Sequence, residues 1–163
     1  MMTLVAAFAI AQNGGNPQII AGTHGKGVAL SQDERRAEFS FEAQKFLNRK
    51  GSEEVRGNFQ FTQVANAAGP HVKIHAPKVM RLGANGKTAE FGGPAVLVVR
   101  KDGKAREFKG KLVVAVADNK NPKGEGDKAD GIKVMFKADV ADMTFEFGGA
   151  VQRGDIVVRT KSE

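Results

Sequence analysis

Residues 88–117 read TAEFGGPAVLVVRKDGKAREFKGKLVVAVA, and this stretch decides the fold. Two runs that are rich in β-branched residues, with apolar and polar residues alternating in parts of them, flank the tetrapeptide Lys101-Asp102-Gly103-Lys104. An Asp-Gly pair between two such runs is a strong signal for a two-residue β-hairpin turn. The stretch therefore predicts two long antiparallel strands joined at residues 102–103.

Strand signals of the same kind continue on both sides of this hairpin. RRAEFSFEAQ (35–44) places Ala37, Phe39, Phe41 and Ala43 on one face, and VRGNFQFTQV (55–64) and HVKIHA (71–76) alternate in the same way. Later strands are predicted in IKVMFKA, MTFEFGG and GDIVVRT, and the glycine pairs 92–93 and 148–149 are expected at bulges or bends. The pattern predicts an all-β fold, a single antiparallel β-barrel or sandwich of roughly eight to ten strands.

Composition limits the function classes. A chain of 163 residues is long enough for one domain with a substantial core. The sequence has no cysteine, which excludes disulfides, zinc–thiolate sites and thiol nucleophiles. It also has no tryptophan or tyrosine, so its 11 phenylalanines supply every aromatic contact.

The chain is basic, with a formal net charge of +7. Such a balance favours polyanionic partners, which include nucleic acid, anionic polysaccharide and an anionic cell surface. Lysines spread over strand faces also keep a β protein soluble and protect its edges. Because no long block of like charges occurs, the second interpretation is favoured.

Several segments together resemble a family. FSF, GNFQF, HVKIH, TAEFGG, LVVAVADN and EFGGAVQRGDIVV, in this order over residues 27–159, resemble a small secreted bacterial β domain of the type found after multicopper-oxidase-like domains (the post-COAP type). Phe61 stands where that family usually has a tyrosine, and Asp155 where it has an asparagine. The resemblance implies a secreted β-barrel, and it implies no catalytic residue.

No motif predicts catalysis or a cofactor, and an enzyme is not expected. The sequence lacks a G-x-S-x-G elbow and a complete phosphate-binding loop. His71 and His75 share a strand face about 13 Å apart, too far to chelate one metal ion. Asp118, Asp127 and Asp130 are weak candidates for calcium, but lysines interrupt the loop and Asx turns explain the same residues. The tripeptide Arg153-Gly154-Asp155 leads directly into a strand and is read as structural.

Specific nucleic-acid binding is not expected either. Proteins that hold single strands project aromatic rings from the same face as their basic residues. Here Phe39, Phe41, Phe59 and Phe61 alternate with the polar residues, so they point into the core.

The first 17 residues differ from the rest, because they are apolar and uncharged. TLVAAFAIA (3–11) is too short to span a bilayer as a helix. It has the length of a signal-peptide apolar region, with a small-x-small cleavage site before Gln12. As an extended strand it places Leu4, Ala6, Phe8 and Ile10 on one face and Val5 on the other, which suits donation to another subunit.

The sequence therefore predicts residues 1–17 as a donor strand and linker or a signal remnant, and residues 18–163 as the β domain. The expected function is that of a non-catalytic, secreted subunit of an extracellular pilus-like filament, a homopolymer formed by exchange of the N-terminal strand. The alternative is a secreted monomeric domain that binds an anionic glycan or surface polymer. No membrane span and no cofactor are expected.

Overall fold

A computed structural model describes residues 17–67, 69–120 and 128–161. These residues form nine strands and no helix. The strands are β1 (Gln18–Ser31), β2 (Arg36–Leu47), β3 (Glu53–Gln63), β4 (His71–Ala76), β5 (Arg81–Asn85), β6 (Thr88–Lys101), β7 (Lys104–Ala117), β8 (Gly131–Ala138) and β9 (Thr144–Thr160).

Eight of the strands form a closed antiparallel barrel. The sheet runs in the order β4-β3-β2-β1-β9-β8-β7-β6-β5, and β4 also pairs with β6, which closes the barrel and leaves β5 outside it as an extra strand on β6. The predicted all-β class and strand number are confirmed, and of the two expected architectures the barrel is the one found.

The alternation in sequence becomes the inside and outside of the barrel. Ala37, Phe39, Phe41 and Ala43 of β2 are all at most 3% exposed, whereas the residues between them are exposed. Phenylalanines contribute much of the core, with ring contacts that run from Phe39 and Phe41 through Phe59 and Phe61 to Phe145 and Phe147. The hydrophobic burial that stabilises the barrel therefore comes from the faces that the sequence predicts.

The predicted turn at residues 102–103 is present, and a second tight turn joins β5 to β6. Asp102 and Gly103 have φ angles of 52° and 74°, the left-handed pair that a type I′ hairpin turn requires. Gly86, with a φ of 59°, begins the turn between β5 and β6. The glycine pairs 92–93 and 148–149 are not bulges, because the pairing register runs through them without a shift. The register shifts in two other places: β1 has an extra residue between Ile19 and Ala21 in its pairing with β2, and β9 has an extra residue, Gln152, opposite Val28 and Ala29.

The two ends of the barrel are closed by different groups. We call them the Arg35 end and the Gln18 end, after a residue that lies at each. The Arg35 end contains the turns β1–β2, β6–β7 and β8–β9; the Gln18 end contains the start of β1, the end of β9 and strand β5. At the Gln18 end β5 packs against β1, β2 and β9 across the barrel, with Leu82 only 4% exposed. β5 therefore covers this end.

At the Arg35 end the cover is a side chain. The Arg35 guanidinium donates to the Glu146 carbonyl at 2.9 Å and to Gln63 Oε1 at 3.4 Å, and it lies 5.5 Å from the centre of the Phe147 ring. It also pairs with Asp33 at 2.8 Å. Arg35 thus joins β3 and β9, which are separated in the sheet by β1 and β2.

Candidate functional site

The residues predicted to form a donor strand, Leu4, Val5, Ala6, Phe8 and Ile10, lie outside the described residues, and so does Asp127. The part of the chain that the structure describes contains no helix of the length and hydrophobicity needed to cross a membrane. What the structure does describe is the surface such a strand could join.

Among the described residues, two strand edges at the Gln18 end have no neighbouring strand. β5 pairs only with β6, so among the described residues no strand lies along its other edge. β3 pairs with β4 from Phe59 onward, and before that its free edge accepts one described backbone hydrogen bond, from the amide of Val79 to the carbonyl of Gly57 at 2.9 Å. Unpaired edges of this kind are templates for another strand.

The edge of β9 at the same end is covered by two aspartates. β8 pairs with β9 only as far as Ala150, and beyond this point the Asp130 carboxylate accepts the amide of Ile156 at 2.9 Å. The Asp118 carboxylate accepts the amide of Val158 at 3.3 Å. These two side chains therefore occupy the place of a neighbouring strand.

Asp130 also holds the loop that follows β7. Its second oxygen accepts the amides of Asn119 at 2.9 Å and Lys120 at 3.1 Å, and the residue is completely buried. Burial by itself raises the pKa of this carboxyl, but the hydrogen bonds from the Ile156, Lys120 and Asn119 amides outweigh it and hold the pKa below its ordinary value of 3.8. Asp130 is thus a buried carboxylate stabilised by backbone donors.

These hydrogen bonds give the predicted calcium candidates another role. Both Asp130 oxygens are directed at amide donors, whereas calcium needs six to eight oxygen ligands around one point. Within residues 17–67, 69–120 and 128–161 no three His, Asp or Glu side chains form a group able to hold a metal ion. Asp118 and Asp130 serve the backbone of β9 and its neighbouring loop.

The tripeptide Arg153-Gly154-Asp155 lies inside β9, paired with β1. A Cβ on Gly154 would lie 2.1 Å from the Lys26 carbonyl oxygen, so only glycine fits this approach of the two backbones. Lys120 Nζ donates to the Gly154 carbonyl at 2.7 Å. The structure therefore places these residues in a paired strand, where their close packing explains the glycine.

The outer face of β7 and β8 carries a groove of about 540 Å³ with three cations. Lys111 and Lys137 lie directly opposite each other on adjacent strands, and Arg81 of β5 completes the set. Val113 and Met135, the next outward-facing pair along the same two strands, also line the groove. Within the described residues none of the three cations forms a salt bridge. We call this surface the basic groove.

Gly92 allows Arg81 to reach the basic groove. Arg81 lies opposite Gly92 in the pairing of β5 with β6, and Gly92 lies opposite Val113 of β7. A Cβ on Gly92 would lie 3.2 Å from Arg81 Nε, and Gly92 itself is buried. The Arg81 side chain therefore crosses β6 over a residue without a side chain.

Sequence reasoning identified neither the free edge of β5 nor the basic groove. The free edge depends on which strands pair, and the basic groove joins cations that are 26 to 56 positions apart in the chain. A usable signal was present for Lys111 and Lys137, which alternate with buried residues along β7 and β8 and must therefore face outward.

Comparison with protein-family models, with curated proteins and with solved structures gives no match. The resemblance to the small secreted β domain found after multicopper-oxidase-like domains stays a prediction.

Proposed function

We propose that this chain is a non-catalytic subunit of an extracellular, pilus-like filament, in which residues 3–11 of one subunit pair with the free edge of β5 in the next. The observation that carries the proposal is that edge, since β5 has β6 on one side and no described strand on the other. Leu4, Phe8 and Ile10 are the apolar anchors of the donated strand.

The backbone of β5 supports strand addition. Residues Asn85 and Thr88 close a two-residue hairpin and are paired across it. Because hydrogen-bonding groups of successive residues point to opposite edges of a strand, the N–H and C=O of Ala84 point away from β6. An added antiparallel strand would satisfy these groups, and its alternate side chains would provide specificity.

The closed barrel determines what kind of exchange is proposed. The described strands β1 to β4 and β6 to β9 already close the barrel. Donation therefore adds a strand beside β5 and does not fill a gap in the core. A subunit that has lost its donor strand is expected to fold and to remain monomeric.

The position of β1 also supports the proposal. The chain enters β1 at Gln18, the same end of the barrel at which β5 lies, and the linker 12–17 spans at most about 20 Å. Transfer of the strand to a neighbour is a head-to-tail contact, which forms fibres when its rotation does not close. Insertion of the strand into its own subunit would instead give a monomer.

Two variants separate the halves of the proposed contact. Phe8→Asp places a charge in the donated strand, and we expect it to abolish filaments while leaving the acceptor edge intact. Ala84→Pro removes an N–H that points to the free edge, a position where an edge strand tolerates proline, and leaves the donor intact. Ala84→Ser is the matched control and should still assemble.

Mixing the two variants provides the decisive measurement. Phe8→Asp retains an acceptor and Ala84→Pro retains a donor, so an equimolar mixture should form heterodimers, detected by size-exclusion chromatography with light scattering. Filaments of normal length from either variant alone, seen by electron microscopy, would contradict the proposal. Monomers only, in the mixture and in the wild type, would also contradict the proposal and would indicate that the strand is removed or pairs with β5 of its own subunit.

A further inference from the structure

The basic groove holds like charges where a sheet normally avoids them. Lys111 and Lys137 are directly opposite each other in the pairing of β7 with β8, which brings their Cβ atoms to about 5 Å. Arg81 enters the same groove across Gly92. The repulsion among these three cations opposes folding unless something anionic compensates it.

Another lysine on the same outer face does have an acidic partner. Lys133 of β8 pairs with Glu146 of β9 at 3.0 Å. Two acidic residues border the basic groove, Glu146 and Asp139. Glu146 already forms its salt bridge with Lys133, and Asp139, which follows the end of β8, forms no salt bridge with a described residue. Among the described residues, therefore, no carboxylate within salt-bridge distance balances Lys111, Lys137 or Arg81.

The basic groove extends along a strand. Lys109 lies two residues before Lys111 on the same outer face of β7, about 7 Å away along the strand. Cations at such a spacing match a polymer that repeats its negative charge, and they match it better than a single small anion. Val113 and Met135 provide an aliphatic floor beside them.

We propose that the basic groove binds an acidic polysaccharide, a sugar chain that carries carboxylate or sulfate groups. Arg81, Lys111 and Lys137 contact the anionic groups, and Val113 and Met135 contact the apolar faces of the sugar rings. Phe136 and Phe145 both border the basic groove, but they lie on the inner faces of their strands: Phe136 is only 2% exposed, and the partly buried Phe145 packs against Phe61, 5.8 Å away between ring centres. Neither ring shares the outer face with the cations, as a stacking platform for nucleic-acid bases requires, and this favours a polysaccharide over single-stranded nucleic acid.

The proposal is independent of residues 3–11 and is tested on the full chain. Polygalacturonate and heparin are the carboxylated and sulfated probes, and neutral dextran and a single-stranded oligothymidylate are the comparisons. Binding is measured by isothermal titration calorimetry at about 50 and 200 mM salt, because an ionic interface weakens as salt screens it. We expect binding of at least one acidic polysaccharide, no binding of dextran and weaker binding of the oligonucleotide.

The double variant K111E/K137E is expected to weaken that binding about tenfold or more, since it reverses two charges in the basic groove. The matched control K26E/K104E makes the same change in net charge, from +7 to +3, at exposed positions outside the basic groove. Its expected effect is less than about threefold. The neutral double variant K111Q/K137Q should be intermediate, and circular dichroism checks that each variant is folded.

Three outcomes would overturn the proposal. The first is an equal loss of binding in K111E/K137E and K26E/K104E, which would show that only net charge matters. The second is oligothymidylate binding as tight as that of the polysaccharides. The third is no binding of either acidic polysaccharide at low salt. A preference for heparin or for polygalacturonate identifies sulfate or carboxylate as the recognised group.

Discussion

The two ends of the barrel solve the same problem with different groups. At the Arg35 end, large rings fill the interior, and Phe61 lies 5.8 Å from Phe145 and 5.1 Å from Phe147, measured between ring centres. Arg35 then covers them and joins β3 to β9. Side chains from the core outward seal this end.

At the Gln18 end the inward residues are smaller, and the cover is the backbone of β5. The edge of β9 is satisfied by Asp118 and Asp130, whereas the outer edge of β5 has no described partner. Closing a barrel and satisfying the hydrogen-bonding groups along its strand edges are therefore separate requirements. A buried carboxylate can accept the edge hydrogen bonds where no neighbouring strand is present.

The largest difference between the ends should appear when core side chains are truncated. Phe61 and Leu82 are 2% and 4% exposed, so the comparison holds burial nearly constant. We expect Phe61→Ala to lower the free energy of unfolding by about 3–5 kcal/mol and Leu82→Ala by about 2–3 kcal/mol, because the ring leaves the larger cavity. Urea unfolding measures both. A loss at Leu82 as large as that at Phe61 would mean that both ends are packed to the same degree.

Asp130→Asn tests whether a carboxylate replaces a strand at the Gln18 end. Asparagine keeps the shape but turns an acceptor into a donor that faces backbone N–H groups, so we expect a loss of about 2–3 kcal/mol at neutral pH.

The pH dependence of that loss identifies its cause. Because the folded pKa of Asp130 lies below its ordinary value of 3.8, the unfolded chain takes up the proton first as the pH falls. The stabilisation is therefore present in full above about pH 5 and is lost as the pH falls through the ordinary value toward the lowered one. The difference in unfolding free energy between wild type and Asp130→Asn should shrink from pH 6 to pH 3. A difference that stays constant over this range would assign the loss to packing.

A smaller effect is expected for the cover at the Arg35 end. Arg35→Met keeps the aliphatic stem and removes the hydrogen bonds to Gln63 and Glu146, and we expect a loss of about 1–2 kcal/mol. Arg56→Met is the control, since Arg56 also forms a 2.8 Å ion pair and lies 5.2 Å from a phenylalanine ring, but on the exposed surface. The stability of Arg56→Met should hardly differ from that of the wild type, because exposed ion pairs contribute little. Thermal unfolding followed by circular dichroism compares the two, and equal losses would remove the structural role assigned to Arg35.

Much of this fold could be predicted from local sequence. The alternation of Phe39 and Phe41 with Glu38, Ser40 and Glu42 identifies both the strand and its inner face, because strand geometry repeats every two residues. Asp102-Gly103 identifies its turn for the same local reason, since few residues adopt positive φ angles.

The rest depends on which strands meet, and local pattern does not determine that. The barrel is closed by the pairing of β4 with β6. The free edge arises because β5 pairs with β6 on one side and has no described strand on the other. The sequence offers Asp130 only as a weak calcium candidate or an Asx-turn residue, yet its carboxylate accepts the amide of Ile156, 26 positions later. Lys111 and Lys137 become neighbours for the same reason.

The pairing of β1 with β9 has a consequence for how the chain folds. The first described strand lies beside the last, and Thr23 Oγ1 donates to the carbonyl of Val157, 134 residues away. Contacts between such distant residues are formed only after a large loss of chain entropy, so topologies rich in them fold in milliseconds to seconds. Most of the chain must be present before the barrel can close, and until then both β1 and β9 expose an unpaired edge. The same neighbourhood makes the barrel suited to circular permutation, since a short peptide could join the start of β1 to the end of β9 and the turn at Asp102-Gly103 could be opened.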